Sequence, residues 1–144
     1  MSVLKGIWTK SWREYVSYMA SQYESGVSQR DAGNSVAGVE IEWQGRIGAI
    51  GKSKYELRRI RMEMDRVAIR ISGGRMFEAG HISLPIDQEL ECKKCDRLIV
   101  GDTLRFRARF ISKESIFPAV GFAVDAEHNK VVLESSLESV ALLD

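Results

Sequence analysis

The most regular stretch of the chain runs from Leu98 to Ser112, where apolar and polar positions alternate with period two. Leu104, Phe106, Ala108 and Phe110 fall on one side, and Arg105, Arg107 and Arg109 on the other. Successive side chains of an extended chain point to opposite faces, so this alternation predicts a half-buried strand launched by the Gly101-Asp102 turn. Its outer face would carry guanidinium groups about 7 Å apart.

The same period recurs upstream. Val39, Ile41 and Trp43 alternate with Glu40, Glu42 and Gln44, and the pattern continues past Gly45 through Ile47 to Ile50. A glycine inside a strand predicts a bulge or sharp coil, the device that bends a long first strand around a barrel. Lys52-Ser53-Lys54 reads as a turn. Ile60, Met62 and Met64 alternate with Arg59, Arg61 and Glu63, although Leu57, Ile60 and Met64 also fit helical spacing. Val67, Ile69 and Ile71 then alternate with Arg66, Ala68 and Arg70 in a separate strand that ends at Ser72-Gly73-Gly74. Further strands are expected over Phe77 to Ile86, Phe117 to Val124 and Val131 to Leu133, the last two around a turn from Asp125 to Lys130. Ser135 to Leu143 reads as strand or short helix, and Asp87 to Arg97 as a charged connector.

The N-terminal part has helical period. Trp8, Trp12, Tyr15, Val16, Met19 and Tyr23 form one stripe of a helix over Ile7 to Tyr23. Thr9 or Ser11 can cap it, and Glu14 stands three residues beyond Ser11 as a capping box requires. The aromatic stripe either packs on the protein's own sheet or anchors a partner. Ser28 opens a second helical turn through Ala32, which Gly33 and Gly38 are expected to keep short. The elements add up to a mainly β (α+β) chain with five or six strands. One domain is expected over residues 1–144, with a helical segment, 1–37, packed on a β-barrel, 38–144.

Composition changes this picture little. At 144 residues, 44% hydrophobic and 28% charged, the chain has the make-up of an ordinary soluble globular domain. No signal peptide is readable, and no run approaches the ~18 apolar residues of a membrane span. The expectation is a soluble, cytoplasmic protein with no membrane partner. Cys92 and Cys95 are too few for a disulfide framework and suit a reducing compartment. Net charge is only +1, but it is unevenly placed. Residues 46–70 hold eight basic side chains against three acidic ones, a net +5, while residues 114–144 hold one against six, a net −5. Such polarity favours association with a charged or complementary partner.

Ser28-Gln29-Arg30-Asp31-Ala32, followed by Val39-Glu40-Ile41-Glu42-Trp43-Gln44-Gly45-Arg46-Ile47, resembles small bacterial OB-fold proteins of the tRNA-anticodon-binding-like group. In that group a short helix leads into a G-x-x-V-x-W-x-G-x-V strand. Gly101-Asp102-Thr103-Leu104-Arg105-Phe106-Arg107-Ala108-Arg109-Phe110 is similar to its G-D-x-V-x-F-x-G-x-F/I strand, with Ala108 where glycine is usual. The resemblance spans residues 28–135. It implies a five-stranded Greek-key barrel, with nucleic acid or protein bound on the face around strands two and three and the adjoining loops. These motifs encode barrel geometry, not catalysis, and fold alone does not choose the ligand.

The concentrated chemical feature is the arginine set Arg59, Arg61, Arg66, Arg70, Arg105, Arg107 and Arg109. Guanidinium groups pair with phosphate and stack on bases, so these are the candidate contacts to single-stranded DNA or RNA. On this reading Arg107→Glu weakens binding. The competing reading is a solvated face whose arginines pair with Glu40, Glu42 and Glu63. A stacking platform also needs exposed aromatics, for which Tyr55, Phe77 and Phe117 are the candidates. Cys92-Lys93-Lys94-Cys95 is half a zinc knuckle; His81 and His128 complete no usual spacing, and two reduced cysteines are the better reading. No hydrolytic triad or phosphate-binding loop can be assembled. No catalysis, cofactor or metal is therefore expected. The expected ligand is single-stranded nucleic acid; a protein partner or self-association, through the barrel, the aromatic helix or the acidic C-terminal part, is the alternative.

Overall fold

The computed structural model of the protein describes residues 11–52, 58–86 and 99–143, and its first element is set by Ser11. The Ser11 hydroxyl accepts a hydrogen bond from the Glu14 amide at 3.2 Å, while the Glu14 carboxylate accepts from the Ser11 amide at 3.4 Å. This reciprocal capping box opens α1, Trp12–Glu24. Trp12, Tyr15, Val16 and Met19 are buried, so the stripe is spent on the protein's own core; Trp8 lies outside the described residues. Trp12 Nε1 donates to the Asp65 carbonyl at 2.7 Å. The Tyr15 ring lies 5.2 Å from both Trp43 and Phe110, within the range of favourable aromatic packing. Ser28 caps α2, Gln29–Val36, which is longer than its glycines predict. The helix continues through Gly33, where an added Cβ would stand in ordinary van der Waals contact, 3.5 Å, with the Ala119 and Val120 amide nitrogens.

Seven strands are described: β1 (Glu40–Lys52), β2 (Arg58–Arg70), β3 (Met76–Ile86), β4 (Thr103–Phe110), β5 (Val120–Asp125), β6 (Lys130–Ser135) and β7 (Leu137–Leu142). They form one sheet in the order β5-β6-β3-β2-β1-β4-β7. β1, β2 and β3 pair antiparallel in succession; β4 pairs with the other edge of β1, and β7 with β4. β3 meets β6 in parallel. β6 and β7 are separated in sequence only by Ser136, so one stretch of chain supplies both flanks and the sheet must curl back toward itself. At the seam one parallel bridge, Ser83 to Ser136, stands in place of a full ladder. This is an α+β, OB-like arrangement, with β5 added as a hairpin strand outside β6. The sheet is larger than the five or six strands expected. Ser136 divides the last stretch in two, and the chain is strand on both sides of it, through Ser135 before and over Leu137–Leu142 after.

β2 corrects a second expectation. Ile60–Met64 and the stretch from Val67 to Arg70 are not separate strands but parts of one, interrupted by a register shift between Glu63 and Val67, and Ile71 lies just beyond its end. β1 bends as its glycines predict, with its own register shift between Ile47 and Ala49. A Cβ on Gly45 would come within 2.9 Å of the Glu63 carbonyl oxygen and 2.7 Å of Met64 Sδ, so the crossing of β1 over β2 needs a bare α-carbon. The alternation at β4 holds throughout: Leu104, Phe106, Ala108 and Phe110 are buried and the intervening positions exposed.

Candidate nucleic-acid interface

Strand register divides the seven arginines into three groups. Arg105, Arg107 and Arg109 form a row on β4, opposite Gln44, Glu42 and Glu40 of β1. Arg59 and Arg61 stand on the outer face of β2, opposite Gly51 and Ala49 of β1 and opposite Pro85 and Ser83 of β3. Arg66 and Arg70 lie at the far end of β2, at and beyond its register shift. The β4 row and the Arg59–Arg61 pair are thus displaced by about five residues along β1, roughly 17 Å of strand. They do not form one compact cluster.

Ion pairing separates the groups further. Arg107 is 3.0 Å from Glu42 and 3.5 Å from Glu40, and Arg109 is 3.4 Å from Glu138; Arg105 is also engaged. Arg61 pairs with Glu63 at 3.4 Å. Arg66 Nη2 and Lys130 Nζ both lie 2.9 Å from the Glu78 carboxylate, which holds that acid below its ordinary range, chiefly through the Lys130 hydrogen bond. Arg59 and Arg70 make no ion pair within the described residues.

Arg59 opens onto a groove of about 680 Å³ on the outer side of β3, beside the seam. His81, Ser83 and Pro85 of β3 line one wall, and Phe122, Glu134 and Ser135 of the β5–β6 hairpin line the other. Phe117 and Pro118, from the loop between β4 and β5, stand at its margin. Phe117 is 63% exposed, so a ring face is available for stacking in the same groove as Arg59. The expectation of exposure at Phe117 therefore holds, while Phe77 is fully buried in the core, and Tyr55 lies outside the described residues. Sequence reasoning did not single out Ser83 and Pro85 as site residues. Their approach to Arg59 follows from the β2–β3 register, which no local pattern announces.

The remaining candidate chemistry is dispersed. His128 hydrogen-bonds Asp125 at 2.8 Å in the exposed β5–β6 turn and holds that carboxyl below its usual range. His81 is on β3. Cys92 and Cys95 lie outside the described residues, and within those described no three His, Cys, Asp or Glu side chains gather to hold a metal. No helix of the described residues is long and apolar enough to cross a membrane.

No protein-family model and no curated protein matches the chain. Among solved structures it is similar to the crystal structure of a small single-stranded DNA-binding protein from Streptomyces coelicolor. The TM-score is 0.37 and the identity 11%, over 74% of this chain and 94% of that one.

Proposed function

We propose that the chain is a non-catalytic, OB-like module of the kind its sequence resembles, and that it binds single-stranded DNA or RNA in the groove beside β3. The observation that carries the reading is the Arg59 guanidinium, without an ion pair among the described residues, sharing a groove with the exposed Phe117 ring. A cation for phosphate next to an aromatic face for a base is the minimal apparatus of sequence-tolerant single-strand binding. Arg61, one step along β2, adds charge that Glu63 partly offsets. Arg105, Arg107 and Arg109 become a secondary surface, since β1 and β7 supply carboxylates to that face. Arg66 serves the β3–β6 junction through Glu78.

Fluorescence anisotropy with labelled dT and U oligomers at low salt tests the proposal. Binding should weaken on adding salt, and Arg59→Ala should shallow the log–log salt slope by about 0.7, the value for one phosphate contact on a single strand. Phe117→Ala should cost about 1–3 kcal/mol if one base stacks there. Absence of binding to either oligomer at low salt overturns the reading.

One observation favours the alternative, a protein-interaction module. Ile116, 90% exposed, stands beside Phe117 as an apolar knob. Light scattering of wild type and Ile116→Ser across a salt series separates the two. Self-association that is lost in the variant would support assembly through this loop.

A further inference from the structure

Phe117 borders more than one groove. On its other side lies a second groove, of about 380 Å³, between α2 and the loop that joins β4 to β5. Gln29, Phe117 and Pro118 line both grooves, so the two meet at the phenylalanine. Arg30 and Asn34 of α2 form one wall of the second groove, and Ser112, Lys113 and Ser115 of the loop form the other. No acidic side chain lines it among the described residues. The nearest carboxylate in sequence, Glu114, accepts a hydrogen bond from the Ser112 hydroxyl. Neither Arg30 nor Lys113 has an ion-pair partner within the described residues. Gln29 does not obstruct the passage freely, because its side-chain oxygen is fixed by the Phe122 amide at 3.0 Å.

We infer that the bound strand does not end at Phe117 but crosses it, leaving the groove beside β3 and continuing between α2 and the β4–β5 loop. Arg30 and Lys113 then receive the phosphates on the far side. The inference rests on the function proposed above and adds a second subsite to it, with α2 as part of the ligand surface. Charge supports the path. The first groove mixes Arg59 with Glu134, whereas the second offers two cations and uncharged hydrogen-bonding groups. A polyanion long enough to span both gains its additional electrostatic contact on the α2 side.

Oligomer length separates the subsites. Affinities of dT3, dT6, dT9 and dT12 are measured by anisotropy for wild type and for Arg30→Ala/Lys113→Ala. Circular dichroism and thermal midpoint confirm that the variant is folded. Affinity of wild type should rise with length. The double variant should match wild type on the shortest oligomer and fall behind by roughly fivefold or more on the longest, with a salt slope shallower by about 1.4, two contacts of about 0.7 each. Lys113→Glu alone should show the same length dependence. Equal binding of wild type and both variants at every length overturns the second subsite while leaving the first groove standing. No binding of wild type at any length overturns both.

Discussion

Arg107 Nη2 donates to the Glu42 carboxylate at 3.0 Å, and its Nε lies 3.5 Å from Glu40, so one β4 guanidinium bridges two successive outward carboxylates of β1. Both acids are near half exposed, and such a surface arrangement contributes only about 0–1 kcal/mol to stability. Its effect on binding is larger. A phosphate approaching Arg107 meets two negative charges already in place. Arg107→Ala is therefore expected to change oligonucleotide affinity less than about twofold, whereas Arg59→Ala at the same salt weakens it more. Parallel anisotropy titrations check this. An Arg107→Ala variant as impaired as Arg59→Ala would move the ligand from the groove to the β4 face.

Glu78 ties three strands together. It sits on β3, accepts hydrogen bonds from Arg66 of β2 and Lys130 of β6, and falls within the short parallel β3–β6 ladder. Lys130 first and Arg66 second hold its carboxyl below the ordinary value of 4.5. A carboxyl depressed in the folded state stabilises the fold fully above its unfolded pKa, and that contribution is lost as pH falls through the folded value. Glu78→Gln should cost about 1 kcal/mol at pH 7 and less near pH 3. Urea midpoints from pH 7 to pH 3 should then fall more steeply for wild type than for the variant.

The sequence made strands legible where one face is dry and the other wet. β4 is such a strand, as is the first half of β1, and the Ser11–Glu14 cap is local enough to be read directly. Non-local geometry was not legible. Nothing between Ile60 and Ile71 distinguishes two strands from one strand with a register shift, because a bulge leaves the apolar count intact. The competing reading of the arginine face, with Glu40, Glu42 and Glu63 as partners, was legible because those residues share the outward parity of their strands. The groove was not, because it depends on which strand lies beside Arg59 and on where the β4–β5 loop folds. Arg30 and Lys113 are 83 positions apart in sequence and meet only through that loop.

Gly45 offers a stability test with an internal control. A methyl group there would meet the Glu63 carbonyl oxygen at 2.9 Å, a backbone atom held by the sheet, as well as the more pliant Met64 side chain. Gly45→Ala should therefore destabilise the fold by about 1–3 kcal/mol, the usual cost of overpacking. At Gly51, further along the same strand, the nearest atom is the Arg59 carbonyl oxygen at 3.8 Å, and an added Cβ fits. Gly51→Ala should stay within about 0.5 kcal/mol of wild type. Chemical denaturation of the two variants, measured side by side, checks whether the bend of β1 depends on close approach at Gly45.

Tyr15 places a phenol inside the core, with its hydroxyl 2.6 Å from Ser135 Oγ at the end of β6. Burial pushes the phenol far above its ordinary value of 10.0, with the Ser135 hydrogen bond opposing only part of that rise. The neutral form is the one the fold accepts. Its contribution is complete below the unfolded pKa and is lost as pH rises through the interval between the unfolded and folded values. At pH 7, Tyr15→Phe removes the hydrogen bond and should cost about 0.5–1.5 kcal/mol. Above pH 10 the wild type must also forgo the ionisation its unfolded chain can undergo, while the variant has no phenol there to ionise. The stability gap between the two should therefore narrow from pH 7 to pH 11 in guanidinium titrations. A gap that stays constant or widens would mean that Tyr15 reaches solvent in the folded protein and that α1 does not seal the core at this point.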